Sequence, residues 1–216
     1  KGFYKQWEHL EFKVDGLVSG YFKSEEALKR VAQLARDKQI ALFVDPIMGD
    51  NGCLYQGFDR NYVEAMKAFC QQADVIIPNL TEAALLTDTP YLEAGSYDKV
   101  TVEKLLRDLS KIGPRKVILT GISFETDKIG LAYFDKETNR TIYRMQKRYR
   151  YHFYGSGDLL TAIISAGYFY DLDLLKVCDL ALDVMDRVLS STLFDSRPLK
   201  YGLCYEPHIG LLFSGF

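Results

Sequence analysis

Ile40-Ala41-Leu42-Phe43-Val44-Asp45-Pro46-Ile47-Met48-Gly49-Asp50-Asn51-Gly52 is the stretch whose reading decides the fold. Its first five residues are apolar without alternation, the pattern of a strand covered on both faces, and it stops abruptly at an Asp-Pro pair. The same plan recurs downstream. Asp74-Val75-Ile76-Ile77 ends at Pro78-Asn79, and Lys116-Val117-Ile118-Leu119-Thr120 ends at Gly121. Upstream, Val14 to Tyr21 reads as a further buried strand. Amphipathic helices are expected near Ser24 to Asp37, Asn61 to Gln71 and Val100 to Lys111, with short helical turns near Thr81 to Leu86. Strand and helix in alternation predict an α/β fold with a mostly parallel central sheet flanked by helices. After Gly121 the pattern changes. Gly130 to Phe134 and Thr141 to Met145, joined by Asp135-Lys136-Glu137-Thr138-Asn139, predict an antiparallel hairpin toward the C-terminal half. Two helices, Gly157 to Tyr170 and Leu172 to Phe194, follow. With no repeat, low-complexity stretch or linker, residues 1–216 read as a single domain.

The composition excludes several function classes. Apolar residues make up 48% and charged residues 26%, with a formal net charge of −2, as in ordinary globular domains. The one basic stretch, Arg144-Met145-Gln146-Lys147-Arg148-Tyr149-Arg150, has no basic face behind it. A solvated strand edge or a phosphate-facing loop is expected there rather than a nucleic-acid site. Cys53, Cys70, Cys178 and Cys204 lack paired metal spacing, and Cys70 and Cys178 fall on apolar helical positions that suit buried thiols. His9, His152 and His208 form no ligand pair. With no signal peptide and no apolar run of membrane-spanning length, the chain is expected to be cytoplasmic, reduced and free of membrane partners.

Gly155-Ser156-Gly157-Asp158 precedes the apolar helix Leu159 to Tyr170. Two glycines at a helix entrance let backbone N–H groups turn outward, and a helix N-terminus attracts anions through those groups and its dipole. In open parallel sheets, ligands sit beyond the carboxyl ends of the strands. The Asp45 to Gly52, Pro78-Asn79-Leu80-Thr81-Glu82 and Thr120-Gly121 segments all fall at such ends. Together with the glycine turn they predict a carboxylate-rich site with a backbone anion hole, suited to a magnesium–nucleotide complex. Plainer readings stand beside this one. Asp158 could be a cap-like aspartate, Asn79 and Glu82 a capping box, and Thr120 a strand-end hydroxyl bonding its own turn.

In this order, Asp-Pro-Ile-Met-Gly-Asp-Asn-Gly, Pro-Asn-Leu-Thr-Glu and Gly-Ser-Gly-Asp resemble the vitamin-B6 kinase branch of the ribokinase-like superfamily, the pyridoxal (pyridoxamine/pyridoxine) kinases. The resemblance runs from about Trp7 to the Tyr201 to Pro207 tail. It implies ATP-dependent phosphorylation of the 5′-hydroxymethyl group of a B6 vitamer, with ATP and Mg²⁺ as cofactors. By the same resemblance, Asp158 matches the catalytic base, and Gly155, Ser156 and Gly157 would donate N–H groups to the transferring phosphoryl. Asn79 and Glu82 match the magnesium element, with water between. Asp45 matches a nucleotide- or metal-side aspartate. Thr120 and Gly121 match nucleotide contacts, and Tyr143, in the segment to Gln146, lies where the family contacts adenine or ribose. The resemblance further implies a homodimer for the full-length protein, and it implies that the family's N-terminal strand and lid over the vitamin pocket are missing from this sequence. The rivals are a hydroxymethylpyrimidine or sugar kinase of the same superfamily, and a non-catalytic nucleotide- or vitamin-binding remnant. The Gly52-Cys53-Leu54-Tyr55 continuation favours the B6 branch.

Overall fold

The computed structural model describes residues 13–195 and 197–215. Trp7, where the resemblance begins, and His9 lie outside the described residues. The described chain runs β1 (Gly16–Ser19), α1 (Glu25–Lys38), β2 (Ala41–Val44), β3 (Gly49–Asp50), β4 (Cys53–Leu54), α2 (Arg60–Cys70), β5 (Val75–Ile76) and α3 (Leu80–Thr87). It continues through α4 (Lys99–Ile112), β6 (Lys116–Ile122), β7 (Lys128–Asp135), β8 (Arg140–Lys147), α5 (Ser156–Phe169), α6 (Leu174–Phe194) and α7 (Gly210–Gly215).

Six strands form one sheet in the order β1-β2-β5-β6-β7-β8. The β1–β2, β2–β5 and β5–β6 pairs are parallel, and β6–β7 and β7–β8 are antiparallel. The mostly parallel sheet and the C-terminal hairpin are therefore as the sequence predicts. Why the central strands lack alternation is visible in the packing. Leu42 and Val44 of β2, with Val117 and Leu119 of β6, face a core shared with α1, α2, α3 and α4. Phe43 and Ile118, pointing the other way, face a second core with α5 and α6. Burying both faces removes apolar area on each side, at roughly 25 cal/mol per Å².

Two local expectations need correction, and one element was not foreseen. β1 is shorter than Val14 to Tyr21 and is not buried throughout, because Val18 is 51% exposed. The unforeseen element is the motif after Asp45-Pro46. It folds into a two-stranded antiparallel ribbon, β3–β4, turned by Asn51 and Gly52, both at positive φ. The segment after Pro78 forms a full helix rather than short turns, because Asn79 and Glu82 close a capping box at its start.

Candidate functional site

Every segment singled out at a strand end converges on one cleft of about 920 Å³. Asp45 follows β2, Asn79 follows β5, and Thr120-Gly121 lie near the end of β6. Asn79 and Thr120 are themselves joined as a parallel bridge. Gly121 takes φ 74° where the β6–β7 register shifts between Thr120 and Ile122, a backbone turn that a Cβ would strain. Facing these strand ends is the start of α5, with Gly155, Ser156, Gly157 and Asp158 on the cleft wall.

The α5 entrance differs from those of its neighbours. Ser24, Asp59, Asn79, Asp98 and Asp173 each cap a helix by accepting a backbone N–H, whereas Gly155 has φ 85° and no side-chain cap. No heavy atom lies within 4 Å of where a Cβ at Gly155 or Gly157 would stand. The first-turn N–H groups have no carbonyl within their own helix. Here they meet open cleft instead of a side-chain oxygen, which gives them the geometry of an anion cradle. Ser156 does not serve as a cap, since its hydroxyl donates to the Phe153 carbonyl at 3.0 Å. Asp158, in the first turn, is exposed to the cleft.

On the opposite wall the carboxylates are buried. Glu82 is 3% exposed; one oxygen accepts the Met48 N–H at 3.2 Å and the other the Asn79 N–H at 2.8 Å. Burial, seconded by the charge of Asp45, pushes its carboxyl well above the ordinary range against those backbone bonds. Asn79 Oδ1 accepts the Thr81 and Glu82 N–H groups, while Nδ2 donates to the Gly49 carbonyl at 2.9 Å. The Asn79 side-chain oxygen is thus taken up by the helix start, and its amide nitrogen ties the helix to the ribbon. The Glu82 oxygens, each accepting one backbone N–H, keep lone pairs free, and both residues line the cleft. Asp45 accepts a hydrogen bond from Thr161 Oγ1 at 2.6 Å. Burial first, with the nearby charge of Asp158 adding to it and the Thr161 bond opposing it, pushes Asp45 up to about 7.

The Thr120 hydroxyl donates to the Pro78 carbonyl at 3.3 Å, across to the neighbouring strand end rather than within its own turn. Tyr143 is not brought to the cleft. Its ring packs against Phe124, and its hydroxyl donates to the Lys99 carbonyl at 3.2 Å, on the α4 face. Gln146, three residues on along β8, lines the cleft instead. In a strand, side chains alternate faces, so the segment alone cannot tell one from the other without the register. Arg148 and Arg150 continue onto the cleft wall while Arg144 stays on the edge strand, so the basic stretch is part strand edge and part cleft loop.

Asp50, held in the sequence reading only as part of the Asp45 to Gly52 segment, and Tyr55, used there only to favour the B6 branch, both line the cleft. Asp50 ends β3 and Tyr55 follows β4, so the unforeseen ribbon is what delivers them. Burial raises the Tyr55 hydroxyl pKa, helped by the charges of Asp50, Glu82, Asp45 and Asp158. The signal was present in the motif, where two aspartates five apart flank a glycine. Among the described residues no cluster of three or more His, Cys, Asp or Glu forms an all-protein metal cage. No described helix is long and apolar enough to cross a membrane.

A site of this kind, with an open backbone cradle, an adjacent exposed carboxylate and buried carboxylates opposite, is equipped to bind a polyanion and move a proton beside it. Comparison with known proteins gives the family. The chain is 28% identical to a Bacteroides thetaiotaomicron "putative phosphomethylpyrimidine kinase", with a TM-score of 0.89 over 97% of this chain and 72% of that one. It is 29% identical to pyridoxal kinase from Lactobacillus plantarum, with a TM-score of 0.88 over 98% of this chain and 75% of that one. Among curated proteins, Saccharomyces cerevisiae "Putative pyridoxal kinase BUD17" is 27% identical over 170 residues, 72% of this chain. The chain spans about half (51%) of the length of that yeast relative. The family model for phosphomethylpyrimidine kinase matches residues 5–194. With a match over most of its length, and pyridoxal kinases of the ribokinase-like superfamily among its relatives, the chain belongs to the phosphomethylpyrimidine kinase family.

Proposed function

We propose that this chain carries the phosphoryl-transfer site of an ATP-dependent kinase for the 5′-hydroxymethyl group of a B6 vitamer: pyridoxal, pyridoxine or pyridoxamine. The observation that carries the reading is the uncapped glycine turn of α5, with Asp158 in its first turn, facing the strand ends across one cleft. Asp158 takes the proton from the primary hydroxyl as that oxygen bonds to the terminal phosphorus and the bond to the leaving diphosphate breaks. The Gly155, Ser156 and Gly157 N–H groups receive the charge that grows on the outer phosphoryl oxygens. The donor set fits Mg²⁺, a hard cation that keeps much of its water shell and takes few protein oxygens; Glu82 and Asp45 would hold it, and when bound it neutralises phosphate charge. Thr120 and the close backbone approach allowed at Gly121 border the nucleotide side of the cleft. Cytoplasmic residence and a dimeric full-length protein belong to the same proposal, supported by the family relationship.

The family name, a kinase of a phosphomethylpyrimidine, points to pyrimidine substrates and keeps one second reading, phosphorylation of a hydroxymethylpyrimidine. On the hydroxymethyl form the transfer to a primary hydroxyl is the same and the ring differs, so both substrates go into one assay. Turnover of ATP with each B6 vitamer, with hydroxymethylpyrimidine and with a sugar is the measurement. Phosphorylation of a vitamer supports the first reading. Turnover of hydroxymethylpyrimidine alone moves the chain to its rival, and nucleotide binding without any turnover leaves a non-catalytic remnant.

Glu82→Gln tests the metal side. Each Glu82 oxygen accepts one backbone N–H, so an amide must turn a donor toward one of them. That mismatch costs about 1–3 kcal/mol and works against the gain from removing a buried carboxyl whose pKa is raised, so the net change in stability is expected to be smaller than either. The half-saturating Mg²⁺ concentration should rise about 10–100-fold, the scale for losing a group that orients a metal's surroundings, with vitamer KM nearly unchanged. A Mg²⁺ titration at saturating substrates reads this directly. Unchanged half-saturation with a raised vitamer KM places Glu82 elsewhere.

A further inference from the structure

Helix α5 carries both the glycine cradle and Asp158, so whatever fixes its N-terminal end fixes the geometry of transfer. Most of its packing is apolar. Ile163 and Ile164 enter the second core, and Phe169 fills the space beside Gly16, where a Cβ would come within 1.8 Å of the ring. Near its C-terminal end, α5 approaches α6 closely, because Gly167 leaves room for Val177. Those contacts hold the far end. Nearer the entrance Leu159 and Leu160 are packed, partly buried, against the second core and the Phe153–Met185–Leu189 cluster, contacts that supply area but no directional bond to the strand ends. The entrance itself contains Gly155 and Gly157, which restrict the backbone least.

One bond does supply direction. Thr161 Oγ1 donates to Asp45 Oδ2 at 2.6 Å, with Thr161 7% and Asp45 8% exposed. Among the described residues it is the only side-chain hydrogen bond from α5 to the segments that leave the sheet. Thr161 stands three residues after Asp158, so the two lie on the same face of the helix. Asp45 itself leaves β2 directly, its N–H bonded to the Ser19 carbonyl at 3.0 Å. The tie thus joins the helix that carries the glycine turn to the end of a sheet strand.

We propose that Thr161 is a positioning residue: its hydrogen bond to Asp45 sets the placement of the Gly155–Asp158 turn over the strand ends, without touching substrate. The consequence for rate rests on the kinase reading; the consequence for the turn's order does not. Thr161→Val keeps the volume and removes the donor, and Thr161→Ser keeps the donor. With the full chain, ATP and pyridoxal, Thr161→Val is expected to lower kcat by about 10–100-fold, as for misplaced reacting groups, while KM for ATP and pyridoxal stays near its wild-type value. Thr161→Ser should restore most of the rate, which a purely space-filling role would not do. Amide hydrogen exchange over residues 155–160, measured without substrate, should be faster in Thr161→Val than in wild type and near normal in Thr161→Ser. Equal losses of kcat in the Val and Ser variants, or a wild-type kcat in the Val variant, overturn the proposal. If the wild-type chain phosphorylates no vitamer, the kinase reading falls and the exchange measurement alone decides, with unchanged protection in Thr161→Val refuting the tie.

Discussion

Asp158→Asn is expected to lower kcat by about 10²–10⁴ while leaving nucleotide affinity nearly unchanged, the loss that follows removal of a general base. Asparagine keeps the shape and the hydrogen-bonding reach of the side chain but has no basic oxygen of comparable strength. Nothing in the fold depends on this carboxylate: it is exposed on the cleft wall, and Gly155 rather than Asp158 occupies the cap position. Its one structural contribution is a favourable charge in the first turn of α5, worth about 0.3–1 kcal/mol. Thermal unfolding should therefore be almost unmoved. Steady-state kinetics with calorimetry of nucleotide binding separates the two effects. A variant that retains most of its kcat would remove Asp158 from the chemistry and return it to the role of a charged helix end.

What made α5 legible in the sequence was that the glycine turn and the apolar run are local features with local causes. The same holds for β2, β5 and β6, whose unbroken apolar runs follow from cores on both faces. The β3–β4 ribbon was not legible, because two-residue strands carry no periodicity. It is held from outside, by Asn79 Nδ2 on the Gly49 carbonyl and by the Gly52 N–H on Thr81 Oγ1 at 2.9 Å. Asp50 and Tyr55 were not singled out as site residues for that reason. Tyr143 failed for the opposite one: a segment resemblance fixed its neighbourhood but not its face, and strand register turned it toward Phe124 and Lys99. Glu82 was legible as two compatible readings, the capping box that the structure shows and the metal role proposed for it. Sequence spacing gives a capping box and a metal element the same pattern, and only burial on the cleft wall shows that one side chain serves the helix start while facing the site.

Asp45→Asn should make the ligand-free protein more stable at neutral and alkaline pH, and the sign follows from its surroundings. Burial raises the folded-state pKa from 3.8 to about 7, so the folded protein holds this proton more tightly than the unfolded chain does. The neutral carboxyl costs the fold nothing extra below about pH 4. As pH rises from there through 7, the unfolded state releases its proton first, and the folded state is destabilised progressively until it too ionises. A difference of about 3 units at 1.36 kcal/mol each sets a ceiling of roughly 4 kcal/mol, reached above pH 7. Asparagine is neutral throughout and still offers Thr161 Oγ1 an acceptor. Its Tm should exceed the wild-type value by a margin that widens from pH 5 to pH 8 and vanishes near pH 4, at roughly 2–4 °C per kcal/mol for a chain of this size. The same substitution removes one of the two buried carboxylates assigned to Mg²⁺, so activity should fall as stability rises, the usual sign of a group kept for function rather than for the fold. Thermal melts of both proteins across that pH range, without nucleotide or magnesium, read the first half. A Tm difference independent of pH would mean that Asp45 does not titrate in the folded protein between those values, and a lower Tm at pH 8 would mean that its charge is stabilised by partners other than Thr161.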